Sequence, residues 1–240
     1  IATSAHDLRD VPGVKLELNP QALYDYVFFH MIPAPTTLYK GVKRLAPGEQ
    51  LVATKGKVEV RAVWQPKFVE DRPTTFEEAK KGFRYAIEMG VRDAVASTPN
   101  PGTFLSGGTD SSTVTGLVGQ VTGKPTKAFS IGFNEDGYDE TSYAKIAAKK
   151  FPVDHTIYYV TPQDVVDALP RVVEAYDQPF GNASAIPTYY CALRAHEQGI
   201  TGMIAGDGGD ELFGGNDRYA EQAKLARWRA LPNILRAPVR

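Results

Sequence analysis

A doubly wound parallel α/β sheet, preceded by a small β-rich segment, is the fold class predicted for this chain. Three observations carry that expectation. From Thr75 onward, short apolar runs alternate with stretches of helical periodicity. Two of those runs end in glycine-rich loops, TFLSGGTDSS at 103–112 and MIAGDGGDELFGG at 203–215. Before the linker-like residues 65–75, with prolines at 66 and 73, the composition is instead β-rich. The boundary is placed near residue 70, giving segments 1–70 and 71–240.

Taken in order, Asn19-Pro20 predicts a capped helix over 21–30. Two β-rich runs, 49–54 and 58–64, flank Lys55-Gly56-Lys57 and predict a hairpin. Residues 76–96 place Ala79, Phe83, Ala86, Ile87, Val91 and Ala94 on one helical face. Strands are then predicted at 103–105, 126–132, 156–160 and 202–205, with helices at 111–121, 139–150, 162–175 and 187–197 between them. Strands separated by helices imply a parallel sheet covered on both faces, with a ligand at the carboxyl ends of the strands. No internal repeat or low-complexity tract interrupts the pattern.

The first glycine loop joins a strand to a helix. Such a junction leaves the first helical amides unpaired, and small side chains let them close on a phosphate. Asp110 sets a carboxylate beside that anion site, which makes sense if a divalent cation bridges the two. The local reading is a Mg-nucleotide site; the alternative is a junction whose glycines serve only the turn. A Walker A loop does not fit, because Gly119 to Pro125 has the wrong spacing and a proline where the hydroxyl belongs. In the second loop, Asp207, Asp210 and Glu211 crowd into five residues and would repel one another without a cation nearby. A dinucleotide fingerprint at Gly206-Asp207-Gly208 is disfavoured by those acids. Acids complementing a helix N-terminus explain one of them, but not the glycines on both sides. Loops after neighbouring strands share a crevice, so Asp110 and Asp210 are expected to face the same metal-bound phosphate.

Composition excludes other classes. The formal net charge is −1 with no long basic block, so nucleic-acid binding by bulk electrostatics is not indicated. No apolar run approaches the ~20 residues of a membrane span. The single cysteine, Cys191, permits no internal disulfide and fits a reducing, cytoplasmic setting; it is expected to be a buried, inert core residue. His6, His30, His155 and His196 share no metal-ligand spacing and are expected to satisfy local hydrogen bonds. Asp136, Asp139 and Glu140 read as caps, and Lys145, Lys149 and Lys150 as a solvated helix face.

SGGTDSS resembles the pyrophosphate loop of the ATP pyrophosphatase superfamily. Together with AFSIGF, YDETSYAKIAAKK, DQPFGNASAIPTYY and GDGGDELFGG in that order, it resembles the synthetase domain of glutamine-dependent asparagine synthetases from about Thr75 to Tyr219. Ala34 to Tyr39 and Leu45 to Gly48 are similar to the end of that family's glutaminase domain, so 1–70 is expected to be its remnant. The resemblance implies an adenine-nucleotide α-hydrolase-like fold and a set of roles. Leu105 and Ile131 would offer backbone contacts around adenine and ribose. Ser106, Gly107, Gly108, Ser111 and Ser112 would hold the pyrophosphate portion, and Gly206 would lie against the nucleotide. Asp110 and Asp210 would ligate Mg²⁺, while Asp207 stands where the family usually has glutamate, the acid of the ammonia-attack step.

The implied reaction is adenylation of aspartate by ATP, then attack by ammonia released from glutamine. A homodimer is compatible with the resemblance. The family's N-terminal catalytic cysteine has no counterpart at Ile1, and a downstream pyrophosphate-binding lysine is expected beyond Arg240. The chain therefore reads as an internal fragment that by itself releases no ammonia from glutamine. Two alternatives stay open: the same chemistry on another carboxylate, as in β-lactam synthetases or amide-forming enzymes of polysaccharide pathways, or a non-catalytic nucleotide-binding module.

Overall fold

The computed structural model describes residues 1–67, 74–135 and 139–229. In chain order the elements are α1 (Pro20–Phe29), β1 (Glu49–Thr54), β2 (Lys57–Ala62), α2 (Phe76–Ser97), β3 (Pro101–Phe104), α3 (Thr109–Thr122), β4 (Thr126–Phe133), α4 (Thr141–Lys150), β5 (Val153–Val160), α5 (Pro162–Ala175), α6 (Ala185–Glu197), β6 (Gly202–Ile204), α7 (Gly209–Phe213) and α8 (Asp217–Arg229), with a short 3₁₀ turn at His6–Leu8. Asp136 and the Gly137-Tyr138 turn lie outside the described residues, as does most of the linker. The chain divides into two compact units, one of residues 1–82 and 160–190, the other of 83–159 and 191–240.

In the first unit α1 starts as its sequence predicts. The Asn19 side chain accepts the Gln21 N–H at 3.1 Å, and Pro20 occupies the first turn, where no backbone donor is needed. The hairpin pairs Thr54 with Lys57, so the loop is the two residues Lys55-Gly56 and Lys57 belongs to the ladder. Helix α5 begins with a reciprocal cap: Thr161 Oγ1 accepts the Asp164 N–H, and Asp164 Oδ2 accepts the Thr161 N–H at 2.8 Å. The Asp177 carboxylate takes the Ser4 hydroxyl at 2.6 Å and the Ala5 amide at 2.5 Å, tying the start of the chain to the segment after α5.

The second unit holds a four-stranded parallel sheet in the order β5-β4-β3-β6. Alternation along the strands shows why both faces are covered. On β4, Ala128 packs with Leu105, Ala144 and Ala147, while its neighbour Phe129 packs with Cys191, Ala195 and Ile200. On β6, Met203 joins the Phe129 cluster, whereas Ile204 meets Val91 of α2 and Val118 of α3. Helices α2, α3 and α4 thus cover one face and the C-terminal part of α6 the other, the doubly wound arrangement expected. Thr103 and Thr115 are buried and polar, and they satisfy each other through a 3.0 Å hydroxyl–hydroxyl hydrogen bond between β3 and α3.

Chain order runs outward from β3 through β4 to β5 and then returns to β6 on the other side of β3. Successive connections therefore diverge between β3 and β6. In open α/β sheets that divergence leaves a crevice outside the carboxyl ends of the strands, where ligands bind. Both glycine loops leave the sheet there.

Candidate functional site

The first loop, Ser106-Gly107-Gly108, follows β3 and feeds α3, which begins at Thr109. Gly107 has φ +88, and a Cβ there would run into the backbone of Tyr143 and Ala144 in the first turn of α4. Only glycine meets both requirements. Hydroxyls close the loop on itself: Ser106 Oγ lies 2.9 Å from Ser111 Oγ, Ser111 Oγ accepts the Ser106 N–H at 3.2 Å, and Ser106 Oγ accepts the Gly108 N–H at 3.3 Å. Ser112 donates its N–H to the Gly108 carbonyl, but its Oγ is shut off from solvent without a protein partner. An orphaned hydroxyl inside a small-residue loop is suited to a ligand oxygen.

The second loop follows β6 and meets the first directly. A Cβ on Gly206 would sit 2.9 Å from the backbone carbon and Cβ of Asp110 and 3.1 Å from Ser111 N. A Cβ on Gly209 would sit 2.7 Å from Asp110 Cγ. The Asp110 carboxylate is therefore laid against the start of α7, the residue before Asp210. Asp210 turns its own carboxylate toward Gly215, and its carbonyl accepts the N–H groups of Gly214 and Gly215 at 2.8 and 3.2 Å. Asp110, Asp207 and Asp210 are all exposed. Among the described residues no group of three or more His, Cys, Asp or Glu is gathered as a metal site.

Leu105 is buried, gives its N–H to the Phe129 carbonyl at 2.9 Å, and accepts at its carbonyl from Ser130 Oγ. One carbonyl lone pair is what its backbone retains for a ligand. Ile131 lies on β4 with its side chain against the Phe129 cluster. Cys191 is buried in that cluster, and desolvation pushes its thiol up to about 12, so the inert-core expectation is met. Asp139 behaves as a cap, accepting the Thr141 hydroxyl and amide at 2.8 and 3.3 Å; these hydrogen bonds, the hydroxyl's foremost, hold its carboxyl below the ordinary range. His155 Nε2 makes a hydrogen bond, though not a local one: it lies 2.6 Å from Ser130 Oγ on the neighbouring strand. Sequence reading had no reason to tie that pair to Leu105. Each link spans 25 residues, and only the pairing of β3, β4 and β5 brings them together.

The two glycine loops thus pack on each other at the topological switch point of a parallel α/β sheet, the place where ligands bind in open sheets of this kind. The family of the chain follows from its similarity to known proteins. Residues 82–239 match the asparagine synthase family, and the chain belongs to it. It is 32% identical over 225 residues to asparagine synthetase [glutamine-hydrolyzing] 1 of Bacillus subtilis, covering 92% of this chain and 35% of that protein. It is 35% identical over 228 residues to putative asparagine synthetase 2 of Methanocaldococcus jannaschii, covering 92% and 43%. Amidase chyE of Penicillium rubens is 27% identical over 201 residues, covering 76% and 30%. The chain thus spans less than half the length of these relatives.

Proposed function

We propose that this chain is the nucleotide-activating part of a glutamine-dependent synthetase that adenylates the side-chain carboxylate of aspartate. The observation that carries the reading is the direct packing of Gly206 and Gly209 on Asp110 and Ser111, which joins the two glycine loops at the switch point. Two further features fit a Mg-nucleotide. The Ser112 hydroxyl is buried and unpartnered, and Asp110 and Asp210 supply hard carboxylate oxygens from adjoining loops.

In this scheme the loop amides and the hydroxyls of Ser106, Ser111 and Ser112 hold the phosphates, leaving the α-phosphorus open to attack. Asp110 and Asp210 would hold Mg²⁺, which supplies neutralisation of the charge gathering on pyrophosphate. A carboxylate oxygen of aspartate bonds to the α-phosphorus, and the bond to the bridging oxygen breaks with its electron pair leaving on pyrophosphate. Ammonia then bonds to the acyl carbon of the mixed anhydride, AMP departs with the electrons of the acyl–oxygen bond, and the attacking nitrogen gives up one proton to a nearby base or water. Asp207, exposed in the second loop, would serve this second step. The protein's contribution is alignment and preorganised charge.

A second reading keeps the chemistry and changes the acceptor. It is favoured by the fungal amidase among the relatives and by aspartate, rather than glutamate, at 207. Calorimetric titration of the full-length protein with Mg-ATP tests what both readings share. Asp110→Asn and Asp210→Asn are each expected to weaken binding about tenfold or more, the worth of a charged contact, while Cys191→Ser leaves it unchanged. Wild-type affinity in both Asp variants would refute the shared-metal site.

A further inference from the structure

We propose that His155 is a positioning residue for the first glycine loop, acting through Ser130 on the peptide group that joins Leu105 to Ser106. The inference rests on the reading of that loop as an ATP site. Strand β3 ends at Phe104, paired with Phe129, and the last backbone ladder bond there is Leu105 N–H to Phe129 C=O at 2.9 Å. Strand β4 runs on to Phe133 with no further β3 residue beside it. The next peptide, Leu105–Ser106, is the first of the loop, and side chains take over where the ladder stops. Its carbonyl accepts from Ser130 Oγ, and its N–H donates to Ser111 Oγ at 3.2 Å.

Proton counting sets the polarity of this brace. A carbonyl cannot donate, so the single Ser130 proton is committed to Leu105. His155 Nε2, 2.6 Å from the same hydroxyl oxygen, must then be the donor and carry a hydrogen. The imidazole thereby fixes the rotor of Ser130, and Ser130 fixes the direction of the Leu105 carbonyl. The plane of that peptide in turn aims the amides of Ser106, Gly107 and Gly108. Half-burial, aided by the nearby Lys145 ammonium, holds His155 below its ordinary pKa, so near neutrality the ring is the uncharged tautomer with its proton on Nε2. Replacing His155 with an apolar ring leaves Ser130 free to rotate and loosens the carbonyl, while the loop's own hydroxyl contacts remain.

The test uses the full-length protein, with Mg-ATP calorimetry and steady-state pyrophosphate release. His155→Phe and Ser130→Ala are each expected to raise the Kd and KM for ATP about three- to tenfold, the usual worth of one hydrogen bond. The kcat at saturating ATP should change by less than about twofold, since no reacting group is removed. His155→Gln, whose amide N–H can replace the Nε2 donor, should restore affinity. The double variant Ser130→Ala/His155→Phe should be no weaker than Ser130→Ala alone, because one brace is broken only once. Wild-type affinity in His155→Phe, failure of His155→Gln to rescue, or additive losses in the double variant would each overturn the inference while the ATP reading stands. If His155→Phe does not fold, Ser130→Ala decides alone, and normal ATP affinity in it overturns the brace. Absence of Mg-ATP binding by the wild-type protein would remove the ATP reading and this inference with it.

Discussion

Gly206 is glycine because of where it lies, not because of its backbone angles. It lacks the positive φ seen at Gly107 and Gly208; what it lacks room for is a side chain, with Asp110 backbone 2.9 Å from the point a Cβ would occupy. A methyl group there must push one loop off the other. Gly206→Ala is therefore expected to cost about 1–3 kcal/mol, as overpacking does, and to weaken ATP binding because the displaced residue is Asp110. Gly90 on α2 is the matched control, since a Cβ there meets nothing within 4 Å. Gly90→Ala should instead raise stability by up to about 1 kcal/mol through helix propensity. Urea midpoints of the two variants should move in opposite directions. A Gly206→Ala protein as stable as wild type would mean that the loops are not packed as described. The motif signalled glycine at both positions 107 and 206, but only the fold shows that Gly107 is needed for its φ as well as for close approach, and Gly206 for close approach alone.

At the scale of elements, the sheet was legible wherever periodicity and local punctuation agreed. Helix α5 runs over the predicted 162–175 because Thr161, Pro162 and Asp164 form a complete start signal. Strand β3 begins two residues before its predicted start, since Pro101-Gly102 looks like a turn in isolation. Gly102 is instead flush with its neighbours, a Cβ there lying 3.0 Å from Ile200 Cγ2 and from Met203 Sδ. Helices α7 and α8 were not predicted. The first is a single turn hidden inside the glycine motif, and the second starts at a weak signal, the Asn216 side chain accepting the Arg218 N–H at 3.0 Å. The contiguous parts of the candidate site were readable for the same reason that the His155 brace was not: the loops are local in sequence, and the brace depends on strand order. That brace also has a pH signature. His155 has its pKa lowered by burial first and by Lys145 second, with Ser130 its hydrogen-bond partner from β4. As pH falls below the unfolded value of about 6.5, the unfolded chain takes up a proton that the folded one resists. Stability from this group is thus whole above that pH and is lost as pH falls through the folded value. Urea midpoints measured from pH 7.5 down to 5 should fall less steeply in His155→Gln than in wild type; equal slopes would contradict the assignment.

For the whole molecule, family and fold bound the chemistry without naming the acceptor. The chain covers 35% of one relative and 43% of another. Among the described residues no helix is long and apolar enough to cross a membrane. On the proposed reading, Asp207 is the residue on which the acceptor would turn. Aspartate is one methylene shorter than the family's usual glutamate and reaches less far from the loop. A shorter acid leaves more room for a bulkier acylated acceptor and contacts a small one less closely. Two outcomes separate the readings, and pyrophosphate release by the full-length protein, supplied with ammonia and a panel of carboxylates, distinguishes them. If the acceptor is aspartate, it alone should stimulate release strongly, and Asp207→Glu should keep or raise that rate. If the acceptor is larger, aspartate should give no stimulation, another carboxylate should, and Asp207→Glu should depress turnover by crowding it. In the second case the asparagine assignment fails while the proposed adenylating role of the loops carrying Gly206 and Asp110 stands.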